Sequence, residues 1–591
     1  MEQKEIIVAI DFGSARAGYA FSFPKKDDKI YLCKFDDEKY KGKTLNEIIL
    51  DDSGNVIQYG RKVSEYIKKG NLKTNEHLYE RIKMNLYNEI YTIKASNSSK
   101  SISLVVLISK ILEYLKKHAI EAITKITEGI QNQYNYEQKT NQIRWVLTVP
   151  AIWDEKNKYI MMMAAEKAGI LEDAHKNLFF ALEPESASYY CLKENPVNND
   201  IFDDSYIICD LGAGTGDIVC HQRIINDGIE KIIEKTTPKG GALGSDEINK
   251  QFEIQVLTLL FGNDSISLIH EKFEESLNNN ENMKFFSSRY INLKRSINEF
   301  KEGIDKDCLD QSYEIDCSIF FKIIPDLNME NIVEEYNKKC RNDWKITEYG
   351  KDEDDKTIQF PYKIIYDLIK EIVDKISNIL LDIISEIDDV STIFYVGGFC
   401  NSKFVVEMIK NNISSKHPKI KHILSPNPDN SIVEGAVLYG LSPERIKSRK
   451  SKYTLGMQAG LIWENKFNNG GIKYFDERYG IYRCKNGFYN FISINNDIPY
   501  DNCLTRPLEL IKLDNNYLGG WIFLYKTTKN DPLFIDEEGI EELGKFEFKI
   551  PKDKGEVGQI FFVTMEMGGT FLNVSAFHKE SNTRVNMEFK Y

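Results

Sequence analysis

Two short glycine-containing segments carry the residues best suited to chemistry in this chain. The first is Asp11–Ser14, with the sequence DFGS, and the second is Asp210–Asp217, with the sequence DLGAGTGD. Glycine lets backbone N–H groups approach phosphate oxygens without interference from a Cβ atom, and serine or threonine adds a hydroxyl donor. The aspartate that opens each segment can hold a hydrated divalent cation. The two segments therefore predict a pair of phosphate-binding turns.

The surroundings of the two segments strengthen this prediction, since a single turn of this kind matches by chance. Each segment follows an apolar run typical of a β-strand, Ile6–Ile10 in one case and Tyr206–Cys209 in the other. Each also leads into a second apolar run, Gly18–Phe23 or Ile218–Cys220. Matching contexts in the two halves of the chain indicate a duplicated domain that closes on one nucleotide.

The elements that would position these turns alternate between strands and helices. Trp145–Pro150 is predicted to be a buried strand, and a helix with an apolar stripe from Ile160 to Ala168 follows it. Later, apolar residues at helical spacing over Ile365–Ile383 predict a long helix before the strand Thr392–Val396. The repeated order predicts two related α/β halves, each a twisted sheet flanked by helices.

The pattern changes to short alternating strands from about Tyr453. Phe561–Met567 and Phe571–Ala576 flank the turn Gly568–Thr570, which is typical of a β-hairpin. We therefore expect an all-β domain over residues 453–591. The segment before it, Arg445–Lys452, is basic and lacks apolar periodicity, so it is predicted to be a linker.

Composition limits the classes of function. The chain has 591 residues, 42% of them hydrophobic and 28% charged, as in a globular protein of several domains. Its net charge of −13 argues against a large nucleic-acid interface. Apolar stretches such as Leu104–Ile108 are shorter than the roughly 20 residues of a membrane helix, and the amino terminus lacks the pattern of a signal peptide. We therefore expect a cytoplasmic protein with no membrane span.

Several segments together resemble the nucleotide-binding domain of the 70 kDa heat-shock chaperones, which belong to the actin and sugar-kinase superfamily. Besides the two glycine turns, the resemblance rests on Leu182–Ala187 and on Val396–Gly398. Three further segments resemble the divergent class-12 members of that family: Gly18–Phe23, Trp145–Trp153 and Gly435–Leu441. The resemblance covers roughly residues 5–450, and over 453–591 it rests mostly on Phe571–Ala576.

The resemblance implies a fold and its boundaries. An α/β, duplicated actin-like (ribonuclease-H-like) ATPase domain would occupy residues 1–445, with lobe I over about 1–200 and lobe II over about 201–445. A basic linker, 446–452, would join it to a sandwich-like, substrate-binding-like β domain, 453–591. Because the sequence stops directly after this β domain, the helical lid of the ordinary chaperones is expected to be absent.

The resemblance also implies roles for single residues. Asp11 and Asp210 would hold Mg²⁺ through water, and Glu183 would position or activate the attacking water. Lys83 is the best available cation for the transferred phosphate, although Arg81 or Lys62 could take its place. The phosphates would be held by Gly13, Ser14, Gly212, Ala213, Gly214 and Thr215. The nucleoside would lie near Lys294, Arg295, Asn298, Gly397, Gly398 and Phe399.

Some of these matches have plainer alternatives, and two positions depart from the family pattern. A Glu-Pro pair is also common in exposed turns, and a Lys-Arg pair on a helix is usually a solvated face. In the first turn Ala15 follows Ser14, where the family commonly has a second hydroxyl residue, and Ala213 stands where a third glycine is usual. Loss of one such contact costs about 2.7–4 kcal/mol in oxyanion sites. Nucleotide binding could therefore survive where fast hydrolysis does not.

The function that the sequence favours is an ATP-binding, slowly hydrolysing chaperone-like protein, with ATP or ADP and Mg²⁺ as cofactors. Closure of the lobes would be coupled to the β domain, which would bind unfolded or specific protein clients. One alternative is a nucleotide-gated scaffold or binding module with little ATPase activity. A small-molecule kinase of the same superfamily is ranked last, and the use of co-chaperones stays open.

Overall fold

The computed structural model describes residues 6–24, 29–35, 42–128, 143–170, 178–194, 205–226, 228–262, 264–276, 280–324, 326–351, 355–477, 479–500, 503–510, 519–549, 559–566, 570, 572–579, 582–586 and 588–589. Within these residues the chain is a mixture of helices and sheets, with α/β sheets first and antiparallel sheets after them. The amino-terminal residues 1–5, Met567 of the predicted strand, the turn residues Gly568 and Gly569, and Phe571 lie outside the described residues.

The first part of the chain contains a mixed sheet with helices against it and two small antiparallel sheets. Its strands are β1 (Ile6–Phe12), β2 (Arg16–Ser22), β3 (Ile30–Leu32), β4 (Lys43–Leu45), β5 (Ile48–Asp51), β6 (Val56–Tyr59), β7 (Glu76–Tyr79), β8 (Thr92–Lys94), β9 (Ser101–Ser103), β10 (Ile143–Val149) and β11 (Leu178–Leu182). Its helices are α1 (Arg61–Lys68), α2 (Ile82–Tyr87), α3 (Leu104–Glu128), α4 (Glu155–Lys167) and α5 (Glu183–Glu194). The order in the main sheet is β11-β10-β1-β2-β3, and β4 also pairs with β2.

The second part contains another mixed sheet and a separate two-stranded antiparallel sheet, the latter from residues 312–316 and 357–361. Its strands are β12 (Ser205–Leu211), β13 (Gly216–Asn226), β14 (Ile229–Glu234), β15 (Lys239–Gly241), β16 (Ser312–Asp316), β17 (Thr357–Pro361), β18 (Val390–Val396), β19 (Lys421–Leu424) and β20 (Ile446–Lys450). Its helices are α6 (Ser245–Phe252), α7 (Thr258–Phe261), α8 (Ser265–Ser276), α9 (Asn280–Glu302), α10 (Ser318–Ile323), α11 (Met329–Lys339), α12 (Tyr362–Glu386), α13 (Lys403–Ser414) and α14 (Ser431–Leu441).

The two mixed sheets share their strand order. The second reads β19-β18-β12-β13-β14, continued by β20. In each sheet the first strand along the chain pairs antiparallel with the next strand and parallel with a later one, β10 or β18. The predicted strands Trp145–Pro150 and Thr392–Val396 therefore occupy equivalent places beside β1 and β12.

The alternation of side chains along β1 explains how the layers pack. Val8 and Ile10 face a core with α3 and α4, whereas Ile7 and Ala9 face a second core that contains α5 and α14. That second core also includes residues of the other mixed sheet, so α5 and α14 lie between the two sheets. A Cβ atom on Gly435 of α14 would overlap the carbonyl oxygen of Ser186 in α5, which is why the helices can cross so closely.

The C-terminal part consists of antiparallel strands. They are β21 (Thr454–Ile462), β22 (Lys473–Asp476), β23 (Ile481–Ile492), β24 (Asp497–Pro499), β25 (Cys503–Leu510), β26 (Gly519–Thr527), β27 (Ile540–Lys549), β28 (Gln559–Glu566), β29 (Asn573–His578), β30 (Thr583–Asn586) and β31 (Glu588–Phe589). One sheet has the order β22-β23-β21-β26-β27-β31 and the other β25-β28-β29-β30. Residues of both sheets share one apolar core. The strands predicted on either side of the Gly568–Thr570 turn, β28 and β29, pair antiparallel.

The basic segment that the sequence suggested as a linker contains a strand. Within 446–452, β20 pairs in parallel with β14 and antiparallel with β24, so it extends the second mixed sheet. Arg449 of β20 forms a buried, two-pronged ion pair with Glu185 of α5. The predicted domain boundaries stay predictions. The centre of the segment 446–452, however, pairs with β14 and β24 and packs against α5 through Arg449. Among the described helices, none is long and apolar enough to cross a membrane.

Candidate functional site

The two predicted turns lie against each other. The first closes the hairpin of β1 and β2, and the second closes the hairpin of β12 and β13. A Cβ atom built on Gly214 would lie 2.6 Å from the Ser14 hydroxyl and would collide with the Met84 sulfur. The structure therefore brings the glycine turns of both sheets to one place, and Gly214 permits their close approach.

The second turn is fixed by backbone hydrogen bonds on one side. The Gly212 N–H donates to the Thr215 carbonyl over 2.9 Å. The carbonyls of Gly212 and Ala213 accept from the N–H groups of Ser245 and Asp246, over 3.2 and 2.8 Å, at the start of α6. Such a turn holds its backbone conformation without a ligand, which favours preorganised binding.

Asp11, at the end of β1, is buried and paired. Its carboxylate lies 2.5 Å from the Lys43 ammonium and accepts a hydrogen bond of 2.9 Å from the Thr148 hydroxyl. Burial opposes ionisation, but the charges of Lys43 and Lys83 outweigh it and hold the pKa of Asp11 below its ordinary value. Asp11 is thus an anion in a dry site, where a cation interacts with it strongly.

Glu183 is the first residue of α5, directly after β11, and is only 6% exposed. The alternative of an exposed loop carboxylate is therefore wrong. Its carboxylate lies 2.5 Å from the ammonium of Lys83 in α2, and Lys83 in turn lies 5.6 Å from the ring centre of Trp153. Burial raises the pKa of Glu183, and Lys83 opposes that shift. Of the three cations considered, Lys83 contacts Glu183, whereas Lys62 is exposed on α1.

Asp210 and Asp217 add two more buried carboxyl groups. Burial raises the pKa of Asp210 well above its ordinary value, and the nearby charge of Glu183 adds to the effect. Asp217 is 1% exposed, and neither of its oxygens has a hydrogen-bond partner among the described side chains and backbone. Burial and the charge of Glu183 raise its pKa to about 7. An unpartnered buried carboxyl group in a native fold calls for a ligand such as water or a cation.

The chemistry of this donor set suits a hydrated cation. Within the described ranges no three His, Cys, Asp or Glu side chains converge closely enough to hold a metal ion directly. Mg²⁺ commonly keeps several waters and is bound by one or two carboxylates, so the pair Asp11 and Asp210 fits a hydrated ion. Gly397, at the end of β18, has a φ of +86°, and a Cβ atom there would lie 2.5 Å from an Asp210 oxygen. Glycine is required at this position to let the chain pass the carboxylate.

The residues matched to a nucleoside site have protein partners. The Lys294 ammonium forms an ion pair with Glu80, at the start of the segment that leads into α2. Arg295 pairs with Glu299 one turn along α9, and the Asn298 side-chain oxygen accepts from Asn249 over 2.9 Å. The Phe399 side chain is buried in the core of the second mixed sheet.

The neighbouring Gly398 lies at the same loop. A Cβ atom on it would lie 2.9 Å from an oxygen of Asp429, which is 3.6 Å from Arg16 of β2. This ion pair joins the loop after the second sheet to the first glycine hairpin. The structure thus brings the two glycine turns and Lys83 with Glu183 together, and it directs Lys294 to Glu80.

Sequence reasoning missed three residues of this site. Lys43 follows a segment without a motif, so its ion pair with Asp11 had no local signal. Thr148 is, with Arg144, one of two polar residues in an otherwise apolar buried strand, and that break in the pattern was a usable signal. Asp217 closes the second motif, and its burial at the start of β13 was predictable from the apolar run that follows.

Replacing Asp217 with asparagine is expected to raise the free energy of unfolding by about 1–3 kcal/mol at pH 8 and hardly at all below pH 4. The folded-state pKa, about 7, lies above the ordinary 3.8. The folded chain therefore binds the proton more tightly, and wild-type stability falls as pH rises between these values. Urea unfolding of both proteins across this range measures the effect. Asp343→Asn, at an exposed position, should stay within about 0.5 kcal/mol throughout. If the stability difference between the variant and the wild type did not grow with pH, ionisation of Asp217 would not be the cause of the lost stability.

Known proteins resemble this chain over most of its length. No family model matches it. It is 24% identical to heat shock 70 kDa protein 12A of Homo sapiens over 632 residues, which cover 93% of this chain and 86% of that protein. It is 23% identical to heat shock 70 kDa protein 12B of Homo sapiens over 672 residues, with 99% and 91% covered.

A second kind of relative matches only part of the chain. The chaperone protein HscA homolog of Rickettsia felis is 25% identical over 325 residues, which cover 53% of this chain and 45% of that protein. The matches to the class-12 proteins, in contrast, run through the α/β sheets and the C-terminal strands alike. Together with the motifs in the two glycine turns, they identify the chain as a divergent relative of the class-12 members of the 70 kDa heat-shock proteins.

Proposed function

We propose that this protein binds ATP or ADP with Mg²⁺ between its two glycine turns and hydrolyses ATP slowly. The observation that carries the proposal is the contact of the two turns at Ser14 and Gly214, beside a group of buried carboxylates and lysines. In this proposal residues 1–445 form a duplicated actin-like domain. Its lobes, about 1–200 and 201–445, close on the nucleotide.

The residues around the turns fit a nucleotide with its metal ion. Backbone N–H groups and the hydroxyls of Ser14 and Thr215 would hold the phosphates, as glycine-rich turns do elsewhere. Asp11 and Asp210 would hold Mg²⁺ through water, and the unpartnered Asp217 is a third group for that water shell. When bound, Mg²⁺ neutralises charge on the phosphates.

Glu183 and Lys83 are proposed to act on the reacting groups. A buried carboxylate with a raised pKa is a better proton acceptor than an exposed one, so Glu183 would orient the attacking water and take its proton. Lys83 would stabilise charge on the transferred phosphate. Ala15 supplies no hydroxyl and Ala213 adds a methyl group, which supports slow turnover.

The C-terminal strands are proposed to bind protein clients and to respond to the nucleotide. Lys452 donates hydrogen bonds to the Ala151 and Trp153 carbonyls, and Trp153 contacts Lys83. On the same side, the N–H of Leu572 donates to Glu155 over 3.1 Å. In this proposal 446–452 joins the nucleotide-binding part to the client-binding part, 453–591, through packed contacts.

A nucleotide-gated scaffold with little catalysis is the second candidate. Ala15, which supplies no hydroxyl, and Ala213, which adds a methyl group, favour it, because the loss of such contacts slows catalysis more than it weakens binding. The two candidates share the binding site and differ in turnover. Release of phosphate therefore separates them.

The first experiment is isothermal titration of the full chain with ATP and with ADP, with and without Mg²⁺, followed by phosphate release from the same sample. We expect Mg²⁺-dependent binding and slow release, and Asp210→Asn should weaken both. Asp343→Asn is the matched control and should change neither. Binding without release would favour the scaffold, and unchanged behaviour of Asp210→Asn would exclude the proposed site.

A further inference from the structure

An exposed group of aromatic side chains lies at one end of the six-stranded C-terminal sheet. Phe475 of β22 and Tyr482 of β23 are 50% and 52% exposed, face each other across the two strands and have ring centres 5.1 Å apart. Trp463, after β21, donates its backbone N–H to the Tyr482 carbonyl over 2.9 Å. We call these three residues with Lys473 the aromatic edge. Exposed apolar groupings of this kind mark interaction sites more often than single exposed residues do.

Lys473 lies on the same face of β22 as Phe475, since the two alternate along the strand. Its ammonium is 4.9 Å from the Trp463 ring centre and 4.4 Å from that of Tyr482. In the part of the chain that the structure describes, no carboxylate pairs with Lys473. Two of the nearby acids have other partners: Asp476 pairs with Arg483, and Glu464 pairs with Lys466. The aromatic edge therefore carries a cation without an acidic partner.

The aromatic edge adjoins a packed cluster. Beside it Phe467, Cys484 and Phe534 form a small buried cluster, and Trp463 packs against that cluster. Asn486 links the same region, because its amide donates to Asp536 and its oxygen accepts the Ile472 N–H. A surface held in this way presents its rings at low entropic cost, which favours binding.

We propose that the aromatic edge binds an extended acidic segment of a partner protein. β22 ends the order of its sheet, and no described strand pairs with its outer side, where a further strand could add. A segment that adds there would place alternate apolar side chains on Phe475 and Tyr482 and a carboxylate beside Lys473. The proposal specifies which protein clients the C-terminal strands would bind, and it therefore rests on the client-binding part of the proposed function.

The test is fluorescence anisotropy of the full chain, without nucleotide, with two labelled peptides. One peptide alternates valine and glutamate, and the other alternates valine and lysine. We expect saturable binding of the glutamate peptide only. Lys473→Glu and Phe475→Ser should each weaken it at least roughly tenfold, because both remove a group at the centre of the contact. Because the assay contains no nucleotide, a lack of peptide binding would not count against the proposed ATP site. A lack of ATP binding would likewise not count against peptide binding at the aromatic edge.

A second aromatic–cation pair on the same sheet supplies the controls. Trp521 of β26 is exposed, and Lys545 of β27 lies 5.9 Å from its ring centre. Trp521→Ser and Lys545→Glu should leave peptide affinity unchanged, and all four variants should keep the wild-type thermal transition. Absence of binding, equal binding of the lysine peptide, or equal loss in the control variants would overturn the proposal. So would a wild-type dimer that Phe475→Ser converts to a monomer, since the occupant would then be a second copy.

Discussion

Replacing Arg449 with methionine is expected to lower the free energy of unfolding by about 3–5 kcal/mol. The guanidinium is buried and donates to both oxygens of Glu185, over 2.5 and 2.9 Å. Without Arg449, the Glu185 carboxylate would remain buried with no compensating charge, and removal of one partner of such a pair is strongly destabilising. Urea unfolding followed by tryptophan fluorescence measures the change.

Two further variants separate the ion pair from simple loss of charge. Lys450→Met, one residue along β20, removes a cation whose partner Asp497 is 60% exposed, and should cost at most about 1 kcal/mol. The double variant Arg449→Met/Glu185→Leu should recover most of the loss, because it leaves neither partner of this ion pair buried alone. A loss below about 1 kcal/mol for Arg449→Met would show that the segment is not anchored as described.

Replacing Glu183 with glutamine is expected to reduce ATP turnover by about 10²–10³-fold while Mg-ATP affinity changes little. Glutamine keeps the shape of the side chain but cannot accept a proton from water. Phosphate release at saturating ATP measures turnover, and titration measures affinity. Glu194→Gln, at the exposed end of the same helix, is the control and should behave as wild type. Wild-type turnover in Glu183→Gln would remove Glu183 from the proposed chemistry.

The pH profile tests the role of Lys83 separately from folding. Turnover should rise with pH as Glu183 loses its proton, because only the carboxylate accepts a proton. Burial raises the pKa of Glu183 and Lys83 opposes the shift, so Lys83→Met should move this rise to higher pH as well as lowering turnover. A lower plateau with an unmoved profile would mean that Lys83 does not act on Glu183.

The strands and turns of the α/β part were predictable because their signals are local. A strand buried on both faces is a continuous apolar run, and β1 and β12 are such runs. The glycine turns follow them directly, so their place at the strand ends needed no tertiary knowledge. The apolar run Leu178–Leu182, which forms β11 directly before Glu183, is a local signal of the same kind.

The rest depends on contacts between distant residues. The sequence of β20, IKSRK, has no strand pattern, and burial of Arg449 is favourable only because Glu185, 264 residues earlier, lies opposite. Likewise the Lys294 ammonium meets Glu80, 214 residues earlier, and no local feature of α9 indicates that partner. Charged side chains are ambiguous in a single sequence, since the same residue can be solvated or paired in the interior.

The pairing of β24 with β20 has a mechanical consequence. After β20 the chain leaves the second mixed sheet, forms β21 to β23 and returns as β24, which faces β20 at Ser448↔Pro499, Arg449↔Ile498 and Lys450↔Asp497. The segment from β21 to β23 is thus held at both of its ends by the pairing of β20 with β24. A pull on the C-terminal strands would load these three residue pairs together with the buried Arg449 ion pair. The second mixed sheet and the C-terminal strands are therefore joined by several contacts that would have to break together. We expect force applied to one part to reach the other before the two separate.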